Sequence, residues 1–597
     1  MRKSLLRLFV LMMVVLTAVS TTTPPQPITA QPLVAQGAID SRFGAVESFW
    51  APNEAAELGI GWERILFYWN EIQPSGSGDW NTLHVHDEWL NEATAQGRQV
   101  VGLLKNTPVW ATDGEFGGGV PRGLYLPTDD PANLWANYAR QVASYYGARG
   151  VHHWIIWNEP DIADGVYGHE FNGTIEDYYQ LMKVAYTVIK EADPSATVLL
   201  GGMTYWHDPS YLRRYLQVVA ADPEAAANNY YFDVISLHIY FRPETMSTIV
   251  GNGFAAQQQA GITPLKAVWV NETNARPNMD PEWPVDTPLF PIDLEMQAWY
   301  IPQAYALGFY AGAGRIAMYK MVDISLPPGG ESWGLIRPHD KSHRPAYYSY
   351  QTTIKYLSGF TYPIKREQSG NHYLISFSRP QGVTRVMWAR NPAAVTLQVP
   401  ALADSALLVQ STGETTTIVP ENGSYTINLE GARCYGECLM GGPPLFLVEE
   451  GVMGDTIPTA PPPPPTHTPE VTETAVISPT GTSIPVTATA SPSPTAEASS
   501  TPTKTRTPKP TPSDTPIPPT ETLSSTKVPA TETGIAPTLP PATEVALLVV
   551  ESTLIPTLEI ENSVNEEPSG QASYWLLGTA VLLGISLLGI TIRNRRQ

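Results

Sequence analysis

Between residues 42 and 356, short runs rich in branched and aromatic side chains alternate with longer amphipathic stretches. This alternation restricts the fold more than any other feature of the chain. The runs that read as strands are 43–49, 62–68, 99–104, 153–157, 197–201, 234–240, 266–270 and 315–319, and each is followed by room for a helix. Two of the helical stretches carry start signals. Asp130 and Pro131 precede Leu134, Tyr138, Val142 and Tyr145 at helical spacing. Thr174-x-x-Asp177 has the form of a capping box ahead of Tyr178, Leu181, Ala185 and Val188. Eight βα repeats predict an α/β fold, a closed (β/α)8 TIM barrel over 36–357. An open doubly wound sheet is the competitor, but no GxGxxG or P-loop follows any run.

After residue 358 the pattern changes. Runs at 372–377, 384–389, 395–399, 406–410, 415–419, 424–428 and 445–448 are separated by Gly, Pro and Asn turns. They predict a small antiparallel β-sandwich domain over 358–450. Cys434 and Cys438 are the only cysteines, so a disulfide framework and a four-Cys zinc site are excluded. A local disulfide and two free thiols both remain open.

The two ends read as targeting segments. Arg2, Lys3 and Arg7 precede an apolar run at 8–19, which predicts a signal peptide within 1–30 with its cleavage site near Ser20 or Ala30. The stretch 451–570 holds 24 of the 57 prolines and few aromatic residues, and predicts a disordered Pro/Thr/Ser-rich linker. Residues 574–592 carry no charge and are followed by Arg593, Arg595 and Arg596. As a helix they would span about 28 Å, which predicts a transmembrane segment with a cytoplasmic tail at 593–597. These segments together predict an exported protein at the extracellular face of the membrane. A net charge of −21, with only 16% charged residues, argues against a nucleic-acid partner. Oligomeric state leaves no signature in the sequence.

In a barrel of this kind reactive side chains stand where strands run into their following loops. The second strand carries Arg64, and the fourth ends in Trp157-Asn158-Glu159-Pro160. The sixth ends in His238-Ile239-Tyr240 and the seventh in Asn271-Glu272-Thr273-Asn274. Glu159 and Glu272 therefore sit on strands three apart and are expected to face each other across the mouth. A facing carboxylate pair suits glycosidic bond cleavage, in which one group holds a proton for the leaving oxygen and the other stays ionised. Arg64 and Tyr240 are natural donors to the ionised partner. For Glu272 a structural ion pair with Arg276 or Arg315 is the plainer alternative. His84-x-His86-Asp87 looks like a metal-hydrolase signature, but it opens a helix and predicts no metal site.

These strand ends resemble glycoside hydrolase clan A, with a flavour of family 39 or family 5. Trp62-Glu63-Arg64-Ile65, Thr107-Pro108-Val109-Trp110 and the stretch from Gly334 to Tyr348 are similar to clan segments. The resemblance implies that Glu159 is the general acid/base, Glu272 the nucleophile, and Asn158 a contact for the substrate 2-hydroxyl. It also implies substrate contacts for Arg64, His238, Tyr240, Trp110 and Trp333, and a reaction that needs no cofactor. A neutral polysaccharide or oligosaccharide is the expected substrate, cleaved with retention. A catalytically inactive carbohydrate-binding surface protein is the competing expectation. One place departs from the clan pattern. Where many members carry Trp after the eighth strand, this chain reads Met318-Tyr319-Lys320-Met321, and Trp333 would have to serve as the sugar platform.

Overall fold

The computed structural model describes residues 39–166, 168–285, 288–324 and 332–452. The signal peptide, the linker beyond residue 452 and the transmembrane segment read from the sequence lie outside them. Among the described residues no helix is long and apolar enough to cross a membrane.

Eight parallel strands close into a barrel in chain order. They are β1 (Phe43–Val46), β2 (Trp62–Tyr68), β3 (Gln99–Lys105), β4 (His153–Asn158), β5 (Thr197–Gly202), β6 (Val234–Tyr240), β7 (Ala267–Asn274) and β8 (Ile316–Met318). Helices follow every strand, as the sequence predicts. The one after β4 starts with Thr174 and Asp177 exchanging both capping bonds. The one after β3 starts differently from the expectation. Its cap is Asn133, whose side chain accepts the Ala136 N–H at 3.0 Å, while Asp130 turns the chain ahead of it by accepting the Ala132 N–H.

Trp62, Leu103, Ile155, Leu199 and Trp269 belong to a compact apolar cluster contributed by the strands alone, as expected of side chains filling a small barrel. Trp62 fits because its neighbour is Gly44, where a Cβ would lie 2.3 Å from the indole. The outward faces of the strands pack against the helices in a larger core.

The second domain is a six-stranded antiparallel sheet with a two-stranded ribbon beside it. The sheet contains β9 (Thr361–Gln368), β10 (His372–Arg379), β11 (Gly382–Ala389), β13 (Ala406–Gln410), β14 (Thr415–Ile418) and β16 (Leu445–Glu450), and the ribbon pairs β12 (Val395–Pro400) with β15 (Ser424–Leu429). All seven expected strands are present. The eighth, β9, escapes a sequence reading because Pro363 interrupts it, and its position at the sheet edge is what tolerates a proline. Alternation explains how the sheet serves two cores. Leu374, Met387 and Leu447 face the ribbon, while Ile375, Trp388 and Phe446 join the core shared with the barrel. Cys434 and Cys438 form a disulfide, which resolves that alternative. Two bidentate pairs, Arg390 with Glu244 and Arg242 with Glu437, fasten this domain to the segment that follows β6.

Candidate active site

Two local irregularities aim the glutamates. On β4, Trp154 and Ile156 face the helices and Ile155 faces inward, so Trp157 should face inward as well. It does not. Trp157 has a φ of 71°, packs with Trp135 and Phe171 in the outer core, and donates its indole N–H to the Glu170 carbonyl at 2.9 Å. Glu159 also takes a left-handed backbone, with a φ of 44°, and its N–H bonds to the Gly202 carbonyl. Non-glycine residues in this region are strained, and two within three positions mark a built turn.

On β7 the device is a bulge. Leu237 is opposite Val270, but the next pair is His238 opposite Glu272, leaving Asn271 as the extra residue. A bulge re-aims the side chain that follows it. Asn271 itself is fully buried, and Glu272 is brought beside the sixth-strand residues His238 and Tyr240.

The result joins five of the predicted residues. A carboxylate oxygen of Glu159, a ring nitrogen of His238 and a carboxylate oxygen of Glu272 all lie within 4.8 Å of one another. His238 Nδ1 is 2.6 Å from Glu159 Oε1 and 3.5 Å from Glu272 Oε2. Arg64 Nη1 grips Glu272 Oε1, and the Tyr240 hydroxyl donates to Glu272 Oε2. The partner of Glu272 is thus Arg64, not Arg276 or Arg315. Asn158 stands beside Glu159 with its Oδ1 buried and without a protein partner. Trp333 packs over the Tyr240 and Tyr319 rings at 4.9 and 6.0 Å, so an aromatic face adjoins the site although β8 supplies no tryptophan. Trp110 has other neighbours: it meets Trp69 edge-on at 5.8 Å and donates to the Gln73 carbonyl at 2.8 Å.

The two carboxyls have their pKa values shifted in opposite directions. Burial, reinforced by the negative charge of Glu272, holds Glu159 above the usual carboxylate range despite its bond to His238. Burial would raise Glu272 as well, but Arg64, His238 and the Tyr240 hydroxyl more than offset it, and Glu272 is held low. His238 loses affinity for its proton through burial and regains more from the two glutamates, so it is raised. Separated pKa values in one cleft divide an acid from a base. Glu159, His238 and Glu272 also have the spacing of a metal-ligand set. Both oxygens of Glu272, however, are engaged by Arg64 and Tyr240, so a cation would meet a guanidinium.

Three charged residues at strand ends were not singled out from the sequence. Lys105, at the end of β3, pairs with Glu170 at 2.5 Å, and the Glu170 charge reaches Glu159. Glu47 and Lys320, beyond the ends of β1 and β8, pair with each other at 2.6 Å. Lys105 and Lys320 each stand one residue past the expected runs 99–104 and 315–319, whereas Glu47 falls inside the expected run 43–49 because β1 ends at Val46.

No protein-family model matches the sequence, and no curated relative does. Solved structures do. A family 39 glycoside hydrolase from Bacteroides cellulosilyticus WH2 is similar over 69% of this chain and 81% of its own, at 18% identity and a TM-score of 0.53. A GH30 endoxylanase from Clostridium papyrosolvens C71 covers 69% of this chain and 97% of its own, at 16% identity and a TM-score of 0.47. A GH39 enzyme from Xanthomonas axonopodis pv. citri covers 69% and 94%, at 15% identity and a TM-score of 0.46. The eight-stranded barrel with its appended antiparallel sheet is therefore a fold this chain shares with the family 39 glycoside hydrolase of Bacteroides cellulosilyticus.

Proposed function

We propose that this protein is a retaining glycoside hydrolase acting on O-glycosidic bonds of a neutral polysaccharide or oligosaccharide. One observation carries the reading: an oxygen of Glu159 and one of Glu272 lie within 4.8 Å, and their surroundings shift the two carboxyl pKa values in opposite directions. Retaining glycosidases keep their carboxyls about 5–5.5 Å apart, whereas inverting enzymes need about 6.5–9.5 Å to admit a water. The oxygen-to-oxygen approach here falls on the retaining side of that division.

In this mechanism Glu272 attacks the anomeric carbon while Glu159 gives its proton to the departing oxygen. The bond to the leaving sugar breaks as the ester to Glu272 forms. Glu159, now ionised, takes a proton from water, whose oxygen attacks the same carbon and releases Glu272. Arg64 and Tyr240 keep the nucleophile ionised and oriented before attack. The free Asn158 Oδ1 can accept a hydroxyl of the bound sugar, and Trp333 offers an apolar face to its ring. Carboxylates crowd the cleft, which disfavours polyanionic sugars. Export and a C-terminal membrane anchor are part of this proposal and rest on the sequence of 1–30 and 574–592.

The test is turnover of a panel of neutral aryl glycosides and plant polysaccharides, with the first-formed product anomer followed by NMR. Retention is expected, and Glu272→Ala should abolish hydrolysis while leaving sugar binding intact. Inversion, or an unchanged rate in that variant, would overturn the assignment.

A further inference from the structure

Asp161 follows Glu159 and Pro160 in the turn after β4, and the reaction above does not use it. It is buried, 4% exposed, and its carboxylate reaches across to the segment that follows β5. Oδ1 accepts the Thr204 N–H at 3.1 Å, while Oδ2 accepts the Thr204 hydroxyl at 2.8 Å and the Tyr205 N–H at 3.0 Å. All of these donors are neutral, so the contact is a set of directed hydrogen bonds and not an ion pair.

The segment that Asp161 grips also carries the acid and the histidine beside it. The Gly202 carbonyl accepts the Glu159 N–H, and the Met203 carbonyl accepts the His238 N–H. Beyond the turn, the Ile162 N–H bonds back to the Glu159 carbonyl. Glu159 therefore lies inside a closed ring of bonds that runs from Gly202 through Glu159 and Asp161 to Thr204. Glu159 and Tyr205, one on each side of this ring, both hold a left-handed backbone, with φ of 44° and 61°. Such conformations persist only where the surroundings over-determine them. Packing does not do so on this side. A cavity of about 160 Å³ adjoins Asp161, and Met203, Tyr205, Leu212, Leu237 and Ile249 are among its walls. A turn that borders a cavity lacks close-packed neighbours there, and its hydrogen bonds must fix it instead.

We propose that Asp161 is a positioning residue for the acid. By locking the turn after β4 to the segment after β5, it fixes the direction from which Glu159 delivers its proton to the leaving oxygen. This rests on the glycosidase reading of the same cleft.

The experiment compares the full chain with its Asp161→Asn variant on methyl and dinitrophenyl glycosides of the same sugars. The amide keeps the side-chain shape, but its nitrogen cannot accept, so a buried donor on Thr204 or Tyr205 goes unmet. For both substrates kcat/KM reports the step that breaks the glycosidic bond. A methyl glycoside needs the proton, and a misplaced acid should cost it about 100-fold. Dinitrophenolate leaves unaided, so its glycoside should lose under about 3-fold. Thr204→Val removes one bond of the set and should give the same selective loss in smaller measure, about 10-fold; it carries the test if Asp161→Asn fails to fold. Equal losses on both glycosides, or no loss on either, would overturn the positioning role while leaving the glycosidase reading in place. A wild type that turns over no glycoside would remove both.

Discussion

Arg64 on β2 and Glu272 on β7 meet across the barrel, guanidinium to carboxylate, with side chains only 4% and 7% exposed. A charge so placed would be driven to neutralise without its partner. Arg64→Met should therefore lower kcat/KM by about 100- to 1,000-fold. It should also change the pH profile. Removing the cation raises the Glu272 pKa, so the acidic limb of kcat/KM moves to higher pH. A fall in rate with an unmoved acidic limb would mean that Arg64 acts on substrate alone.

The opposite limb belongs to Glu159. Activity requires Glu272 ionised and Glu159 protonated, so kcat/KM rises as Glu272 loses its proton and falls as Glu159 loses its own. The limbs report the pair as a unit, since the groups interact. Glu170→Gln removes a negative neighbour of Glu159 and frees the Lys105 ammonium. Both changes favour the ionised Glu159, and the basic limb should move to lower pH. The check is the profile of the variant beside wild type, with the acidic limb as internal control.

Leaving-group dependence separates the two glutamates. Glu159→Gln cannot donate a proton, so hydrolysis of an alkyl glycoside should fall by about 100- to 10,000-fold. An aryl glycoside whose phenolate leaves unaided should lose far less in its first step, and a burst of phenol should precede slow release of the enzyme. Glu272→Gln should show no burst with either substrate.

Much of this was legible in the chain. Asn158-Glu159, Glu272, His238, Tyr240 and Arg64 sit at strand ends, and strand order alone places them round one mouth. What the sequence did not disclose was how they are aimed. The bulge at Asn271 depends on register with β6, and the reversed Trp157 depends on the apolar pocket that Trp135 and Phe171 offer it. Neither leaves a local signature, because both are settled by neighbours distant in sequence. β9 was lost for the opposite reason, a strong local signal from Pro363 that edge placement overrides.

Gly202 tests how closely the acid is supported. A Cβ there would lie 1.9 Å from His238 Nε2, and the Gly202 carbonyl accepts the Glu159 N–H. Gly202→Ala must displace His238 from under Glu159. Overpacking of this kind costs about 1–3 kcal/mol of stability. Activity should fall at least ~10-fold beyond what unfolding explains. Restoring space with Gly202→Ala/His238→Ala should recover stability without recovering activity, read by denaturant melts alongside kcat/KM.

Arg344 organises the wall that carries Trp333. Fully buried, it reaches Asp280 at 3.0 Å, Asp323 at 2.5 Å and the Gly334 carbonyl at 2.6 Å, while Arg337 holds the other side of Asp280. The Trp333 carbonyl is in turn fixed by Asn274 and Gln297 at 2.7 and 3.1 Å. Removing one member of a buried ionic set strands the others, at about 3–5 kcal/mol. Arg344→Met should lose roughly that in urea unfolding. The part that survives folded should show a raised KM, because the loop bearing Trp333 loses its tether, with the pH limbs unmoved because Glu159 and Glu272 keep their partners. A variant that lost stability but kept KM would show that the network braces the fold without positioning the aromatic face.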